Sequence, residues 1–161
     1  MTFKEEPKIK DSGERMEFET GAVRDIQKGK GRCDLMPLDV VGEYMNDLVI
    51  GHLSAFVKFG DPVILMSVLD AFRGDDPFKD KPTMFLEVAK HFEEGAEKYG
   101  ENNWQKGIPV RRYVDSAVRH YLKYLRNDRD EPHDRAFCWN IMCAIWTCKH
   151  KPELNEYALK T

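Results

Sequence analysis

From Leu38 to Phe59 the apolar residues Val41, Tyr44, Met45, Leu48, Val49, Leu53, Phe56 and Val57 recur at spacings of three and four, which predicts one amphipathic helix. Gly60-Asp61-Pro62 stops this pattern. Asp61 then suits an N-cap and Pro62 a first helical turn, so a shorter helix is predicted over Val63 to Phe72, closed by Gly74. A polar, proline-punctuated loop follows to Pro82, before a third helix with the stripe Phe85, Ala89, Phe92, Ala96 and Tyr99 and a stop at Gly100. Glu101 to Ile108 reads as a connecting loop. Pro109 opens a fourth helix through Arg126, whose apolar side is Val114, Val118, Tyr121, Leu122 and Leu125. Pro132 opens a fifth, which is apolar on nearly every face from Ala136 to Thr147 and is expected near the middle of the assembly. No segment alternates with a period of two.

Residues 1–34 have few large apolar side chains and no assignable period, so they are expected to form an irregular, extended arm. The predicted architecture is all-α: a bundle of about five helices within a single domain over 35–161, preceded by that arm. Phe137, Trp139 and Trp146 give the last helix more apolar surface than its neighbours are expected to cover, which predicts a homo-oligomer.

A chain of 161 residues, 42% of them hydrophobic, is long enough to bury one core without disulfides or a structural metal. Twenty-five Lys and Arg against 28 Asp and Glu leave a net charge of -3, which argues against a duplex nucleic acid as partner. No apolar run approaches 18 residues and the opening residues lack the apolar stretch of a signal peptide, so the expectation is a cytoplasmic protein with no membrane partner. Cys138, Cys143 and Cys148 are five residues apart, about 140° around a helix, and cannot converge on one zinc or pair within that helix. With Cys33 they are expected to be reduced, structural thiols.

Several groups could carry chemistry. Glu93, Glu94 and Glu97 lie within five residues, and Glu94 and Glu97 fall about 60° apart on their helix. They could grip Mg2+ or Mn2+, or form a solvated face. Asp130, Glu131, His133 and Asp134 open the last helix, where negative charge also complements the helix dipole. Asn140 lies seven residues beyond His133 on nearly the same face, an amide in an apolar helix that either ties helices together or reads a ligand. His120 is either a packed histidine or, with Arg119, a contact for phosphate or metal, and Asp115 sits one turn from Arg119. The loop Tyr99 to Gly107 carries Asn103 and Trp104 among many hydrogen-bonding groups. Lys28-Gly29-Lys30-Gly31-Arg32 could approach an anion through backbone amides and three cations, but it lacks the Gly-Lys-Ser/Thr ending of a Walker A loop.

Two stretches together, Phe18 to Asp25 with Gly29 to Pro37, and Gly95 to Gly100 with Asn103-Trp104, Arg119-His120 and Asp130 to Asn140, resemble phage and bacterial dATP/dGTP diphosphohydrolases. The resemblance leaves Leu38 to Pro82 unmatched. It implies a relation to MazG-like all-α pyrophosphohydrolases, whose Glu-x-x-Glu and Glu-x-x-Asp pairs hold Mg2+ or Mn2+. Glu94-Gly-Ala-Glu97 and Glu131-Pro-His-Asp134 have those spacings, although a whole helix intervenes. The recurring positions include Lys98-Tyr99, Arg119-His120, Asp130, His133 and Asn140, so a metal site of His120, Asp130 and His133 stands as the competing set. The implied activity is metal-dependent hydrolysis of a purine (deoxy)nucleoside triphosphate such as dGTP or dATP to monophosphate and pyrophosphate. Glu94, Glu97, Glu131 and Asp134 would be ligands, with His120 and His133 in catalytic roles. Lys98, Arg119, Lys28, Lys30 and Arg32 would hold phosphate. Tyr99 or Trp104 would stack on the base, and Asn103 or Asn140 would read its edge. The alternative is a protein that binds and sequesters a nucleotide without turnover.

Overall fold

The computed structural model describes residues 10, 13–74 and 80–159, so the start of the expected arm and the middle of the loop before Pro82 lie outside the described residues. The fold is all-α. Its helices are α1 (Leu38–Met45), α2 (Leu48–Phe59), α3 (Pro62–Arg73), α4 (Lys81–Tyr99), α5 (Val110–Leu125) and α6 (His133–His150). The described part of the N-terminal segment contains a hairpin, β1 (Arg15–Glu17) antiparallel to β2 (Val23–Asp25), with Arg15 opposite Asp25. Three residues per strand are too few to show alternation, which is why the sequence pattern missed it.

The helix expected over Leu38 to Phe59 is two helices. Asn46 turns left-handed at φ 50°, and the Asp47 carboxylate then caps α2 by accepting from the Ile50 amide at 2.9 Å. Its other oxygen accepts from the Tyr121 hydroxyl at 2.6 Å, which fastens the corner to α5. Apolar spacing runs on across this break, so periodicity alone reads it as continuous. A Cβ on Gly42 would lie 3.1 Å from the Gly51 amide nitrogen, so the absence of a side chain at Gly42 lets the two helices pack at close range. Further on, Asp61 and Asp80 cap α3 and α4 through the amides of Val63 and Thr83, and Pro82 sits inside the first turn of α4 instead of ending the loop.

α6 lies in the middle, packed on α5, α3 and α4. Phe137, Cys138, Ile141 and Ala144 are buried there against Tyr113, Val114 and Ala117 of α5 and Val68 of α3. The aromatic residues of α6 find partners inside the chain: Phe137 packs on Phe72 and Tyr121, Trp139 on His91 and Phe92, and Trp146 on Trp104. Phe137 is fully buried by these contacts, while Trp139 and Trp146 stay half-buried. The most exposed large apolar side chains are on other helices, with Tyr44 at 93%. Cys138, Cys143 and Cys148 are buried free thiols, and burial pushes Cys148 up to about 12. Among the described residues no helix is long and apolar enough to cross a membrane.

Buried carboxylates bind the N-terminal segment to the bundle. Asp115 of α5 is 0% exposed. One oxygen accepts from the Cys33 amide at 2.7 Å, and the other from Gln27 Nε2 and Arg119 Nη2, both at 2.6 Å. Asp34, also buried, takes a two-point contact from Arg32 at 2.8 and 2.7 Å and a third bond from Arg111 Nε at 2.6 Å. Burial favours the neutral acid of Asp34, but the hydrogen bonds and charges of Arg32 and Arg111 outweigh it and hold the carboxyl at about 2. An unfolded Asp titrates near ~3.9, so the native pKa is the lower one. The stabilisation is then complete above about pH 4 and is lost as pH falls through about 2. Asp34→Asn is expected to be less stable than wild type at neutral pH and to lose less further stability on acidification across this window, followed by circular dichroism. Parallel acid profiles for the two proteins would remove Asp34 from this role.

Candidate active site

A cavity of about 470 Å³ lies between α4, α5, α6 and the N-terminal segment. α5 presents Arg112, Ser116, Arg119 and Lys123 to it at spacings of four, three and four, which is one helix face. Lys98 of α4 and Lys10, Arg24 and Lys30 of the N-terminal segment bring the cations to seven, against the carboxylates Asp25 and Glu131. The crowding shows in their titration. Burial, then the neighbouring Arg24, pull Arg112 down to about 10, and burial with Arg119, Arg24 and Arg112 lowers Lys30 against the opposing pull of Asp25. A multiply charged anion would relieve that repulsion and take charge-assisted hydrogen bonds from the same groups.

The cations are braced. Arg24 donates to Asn140 Oδ1 at 3.2 Å and Ser116 Oγ at 3.1 Å, with its guanidinium 5.5 Å from the ring centroids of both Tyr113 and Trp139. Arg112 donates to the Asp25 carbonyl at 2.8 Å, and Arg119 to the Gly31 carbonyl. Asp25 accepts from Lys98 Nζ and the Tyr99 hydroxyl, each at 2.8 Å. Burial and that bond push the Tyr99 phenol up, so it stays a donor. A second part of the wall is aromatic. Here His91 and Trp139 have ring centroids 5.4 Å apart, and Phe92 packs edge-on to Trp104 at 5.5 Å.

Where α5 meets the start of α6, His120 Nδ1 and His133 Nδ1 are 2.9 Å apart, and His133 Nε2 is 2.8 Å from Asp130 Oδ1. A carboxylate only accepts, so neutral His133 carries its proton on Nε2 and turns the Nδ1 lone pair towards His120. Burial holds His120 well below its ordinary value, in the neutral form that can ligate. Donor atoms of His120, Glu131 and His133 all lie within 4.8 Å of one another, and so do those of Asp128, Asp130 and His133. Two imidazole nitrogens about 3 Å apart fit adjacent positions on one ion, and Asp130 behind His133 supplies the outer carboxylate that orients a ligating histidine. Two imidazoles and a carboxylate suit Mn2+ better than Mg2+, which prefers oxygen throughout.

The other residues singled out in the sequence fall elsewhere. Glu94 is bound to Arg135 at 2.6 Å, Glu97 is exposed, and Asp134 is exposed and accepts from the Arg135 amide at 2.8 Å. The structure thus brings Glu131 to the cavity but does not bring Glu94, Glu97 and Asp134 to it. Of the three cations in the glycine-flanked run, Lys30 lines the cavity while Lys28 is exposed and Arg32 is held by Asp34. Lys98, Tyr99, Asn103, Trp104 and Arg119 line it. Asn103 exchanges two 2.8 Å bonds with the Val23 backbone, and Asn140 is used by Arg24 and the Ala136 carbonyl, so both amides position the arm. Sequence reasoning missed Arg24, His91, Arg112, Lys123 and Trp139. The polar stripe on α5 could have revealed Arg112 and Lys123, whereas nothing local marks Arg24.

An all-α fold enclosing a cation-lined cavity beside an imidazole and carboxylate cluster is the kind of site that holds a phosphorylated ligand. A family model described as dATP/dGTP diphosphohydrolase, N-terminal, matches residues 76–157, just over half of the chain, and the chain belongs to that family. The family is one of hydrolases acting on acid anhydrides. No curated protein and no solved structure matches the chain. The matched region holds α4 to α6 and the imidazole cluster, while Lys10, Arg24, Asp25 and Lys30 come from outside it.

Gly95 offers a direct check on the cavity. It lines the wall, and a Cβ built there meets nothing within 4 Å. Inorganic tripolyphosphate at about 100 times its Kd is expected to raise the melting temperature by about 5–10 °C. Gly95→Leu, which extends into open space and improves helix propensity, should melt at or above the wild-type temperature and lose that rise. An undiminished rise in Gly95→Leu would place the anion elsewhere.

Proposed function

We propose that the chain is a divalent-cation-dependent hydrolase of purine deoxynucleoside triphosphates, adding water across the α–β anhydride to release a monophosphate and pyrophosphate. The observation that carries this reading is the placement of seven cations around one cavity whose wall also includes His120 and Glu131. Arg112, Arg119, Lys30 and Lys123 hold phosphate oxygens as fixed charges, and Arg24, braced by Asn140 and Ser116, does so with its guanidinium. His120, Glu131 and His133 would hold the ion, with Mn2+ the better fit, and Asp130 orients His133. A divalent ion there supplies Lewis acidity, drawing charge from phosphate oxygens and easing deprotonation of a water. The aromatic wall then takes the base.

Binding without turnover is the second reading. It is favoured by one observation: Glu94, Glu97 and Asp134 lie away from the cavity, so no acidic quartet converges on it. Product analysis separates the two. Purified protein with dATP or dGTP and Mn2+ is expected to yield monophosphate and pyrophosphate in equal amounts, and EDTA to stop it. His133→Ala should lower kcat by about 100-fold or more, while Glu97→Gln keeps wild-type turnover. The reverse pattern would move the ion to the acidic quartet, and intact nucleotide recovered at high protein concentration would leave the sequestering role.

A further inference from the structure

His91 and Trp139 line the cavity as neighbours, and each carries a buried polar atom without a partner: His91 Nδ1 and Trp139 Nε1. His91 is 8% exposed. Buried polar groups are ordinarily hydrogen-bonded, and leaving one unmade is costly, so two orphans side by side in a cavity wall need an explanation. Both residues line the cavity, so a ligand that fills it, with a small turn of either ring, can supply the missing partner. The neighbouring polar side chains are already committed, Asn103 to the Val23 backbone and Asn140 to Arg24. The aromatic surroundings, Phe92 and Trp104 among them, suit a flat ring and not a phosphate. Trp139 stands six residues beyond His133 on α6, about 9 Å along the helix, so a ligand whose phosphates lie near His120 and His133 extends its other end towards this pair.

We infer that His91 and Trp139 form the base-reading subsite, which takes a purine by its N7 and position-6 edge and accepts either an oxo or an amino group at position 6. The inference rests on the nucleotide reading above. The indole N–H only donates, and N7 is an acceptor in both adenine and guanine, so Trp139 recognises what the two share. Position 6 is where they differ, O6 accepting in guanine and the N6 amino group donating in adenine. A neutral imidazole answers either one, because each ring nitrogen can be donor or acceptor according to the tautomer. Burial, helped by the nearby cations Arg135, Arg24 and Lys98, holds His91 down to about 3, so it is neutral at physiological pH and free to change tautomer. A fixed amide or carboxylate here would favour one base. Pyrimidines offer no N7 and reach less far from the sugar.

The test compares dATP, dGTP and the deoxynucleoside triphosphate of unsubstituted purine, which keeps N7 and has only hydrogen at position 6. Binding to the full chain is measured by calorimetry and turnover separately by product analysis. Wild type is expected to bind dATP and dGTP about tenfold more tightly than the unsubstituted purine nucleotide. In His91→Phe, which keeps ring volume, that difference should collapse to near unity through weaker dATP and dGTP binding alone. Trp139→Phe should weaken all three by a similar factor, since each retains N7. Equal affinity of wild type for all three, a comparison that needs no variant, would overturn the inference, as would an equal loss of all three in His91→Phe. Position-6 discrimination without hydrolysis would overturn the hydrolase reading and leave this subsite standing. Hydrolysis without discrimination would do the opposite, and no binding by any of the three would sink both.

Discussion

A single carboxylate inside α5 carries much of the geometry of the cavity. Asp115 has no solvent to share its charge, and a buried anion is tolerated only where hydrogen bonds and cations surround it. It draws those partners from two directions: Arg119 from its own helix, one turn on, and the Cys33 amide and Gln27 side chain from the N-terminal segment. The segment from Gln27 to Cys33 is thereby held against α5. Because Arg24 and Lys30 belong to or adjoin this stretch, their positions in the cavity wall follow from where Asp115 fastens it. Arg119, gripped by the same carboxylate, is presented in a fixed orientation.

Seven cations around one cavity repel each other, and the fold tolerates this by pairing Lys10 with Asp130, Lys98 with Asp25, and Arg112 and Arg119 with Asp115, and by bracing them further. Asp25 bridges Lys98 and Tyr99, its carbonyl takes Arg112, and Arg24 lies against two aromatic rings. Burial first, and the neighbouring cations after it, lower the titration of Arg112 and Lys30, a cost that a bound anion would offset. In the proposed reaction such preorganisation spares the protein from reorganising as charge develops on a phosphoryl group. The imidazoles follow the opposite logic. Burial keeps His91 and His120 neutral, one beside the aromatic wall and the other beside His133, so that each can offer a lone pair.

Much of the helical scaffold could be read from the chain itself. Asp61 with Pro62, Gly100, Pro109 and Pro132 mark helix ends for local reasons of backbone geometry and capping, and α3, α4, α5 and α6 lie close to where these residues set them. The burial of α6 was legible too, since a helix apolar on nearly every face has nowhere else to go. The split at Asn46 was not, because apolar spacing of three and four fits one long helix and two shorter ones equally well. Nor was the hairpin at Arg15 to Asp25, whose strands are shorter than one readable period.

For the site, sequence determined which residue types were at hand and, through helical spacing, which shared a face: Arg119 beside His120, and Asp130 one turn before His133. Tertiary structure decided what each face meets. Glu94 and Glu97 have a ligand-like spacing, yet α4 turns Glu94 to Arg135 and leaves Glu97 in solvent. His91 drew no notice as a site residue, yet the same helix places it against Trp139 in the cavity wall. Spacing along a chain fixes an angle around one helix axis, whereas a binding site needs side chains from separate elements to converge. That convergence is set by α6 packing against α5 and α4, and by the buried carboxylates that tie the N-terminal segment across them.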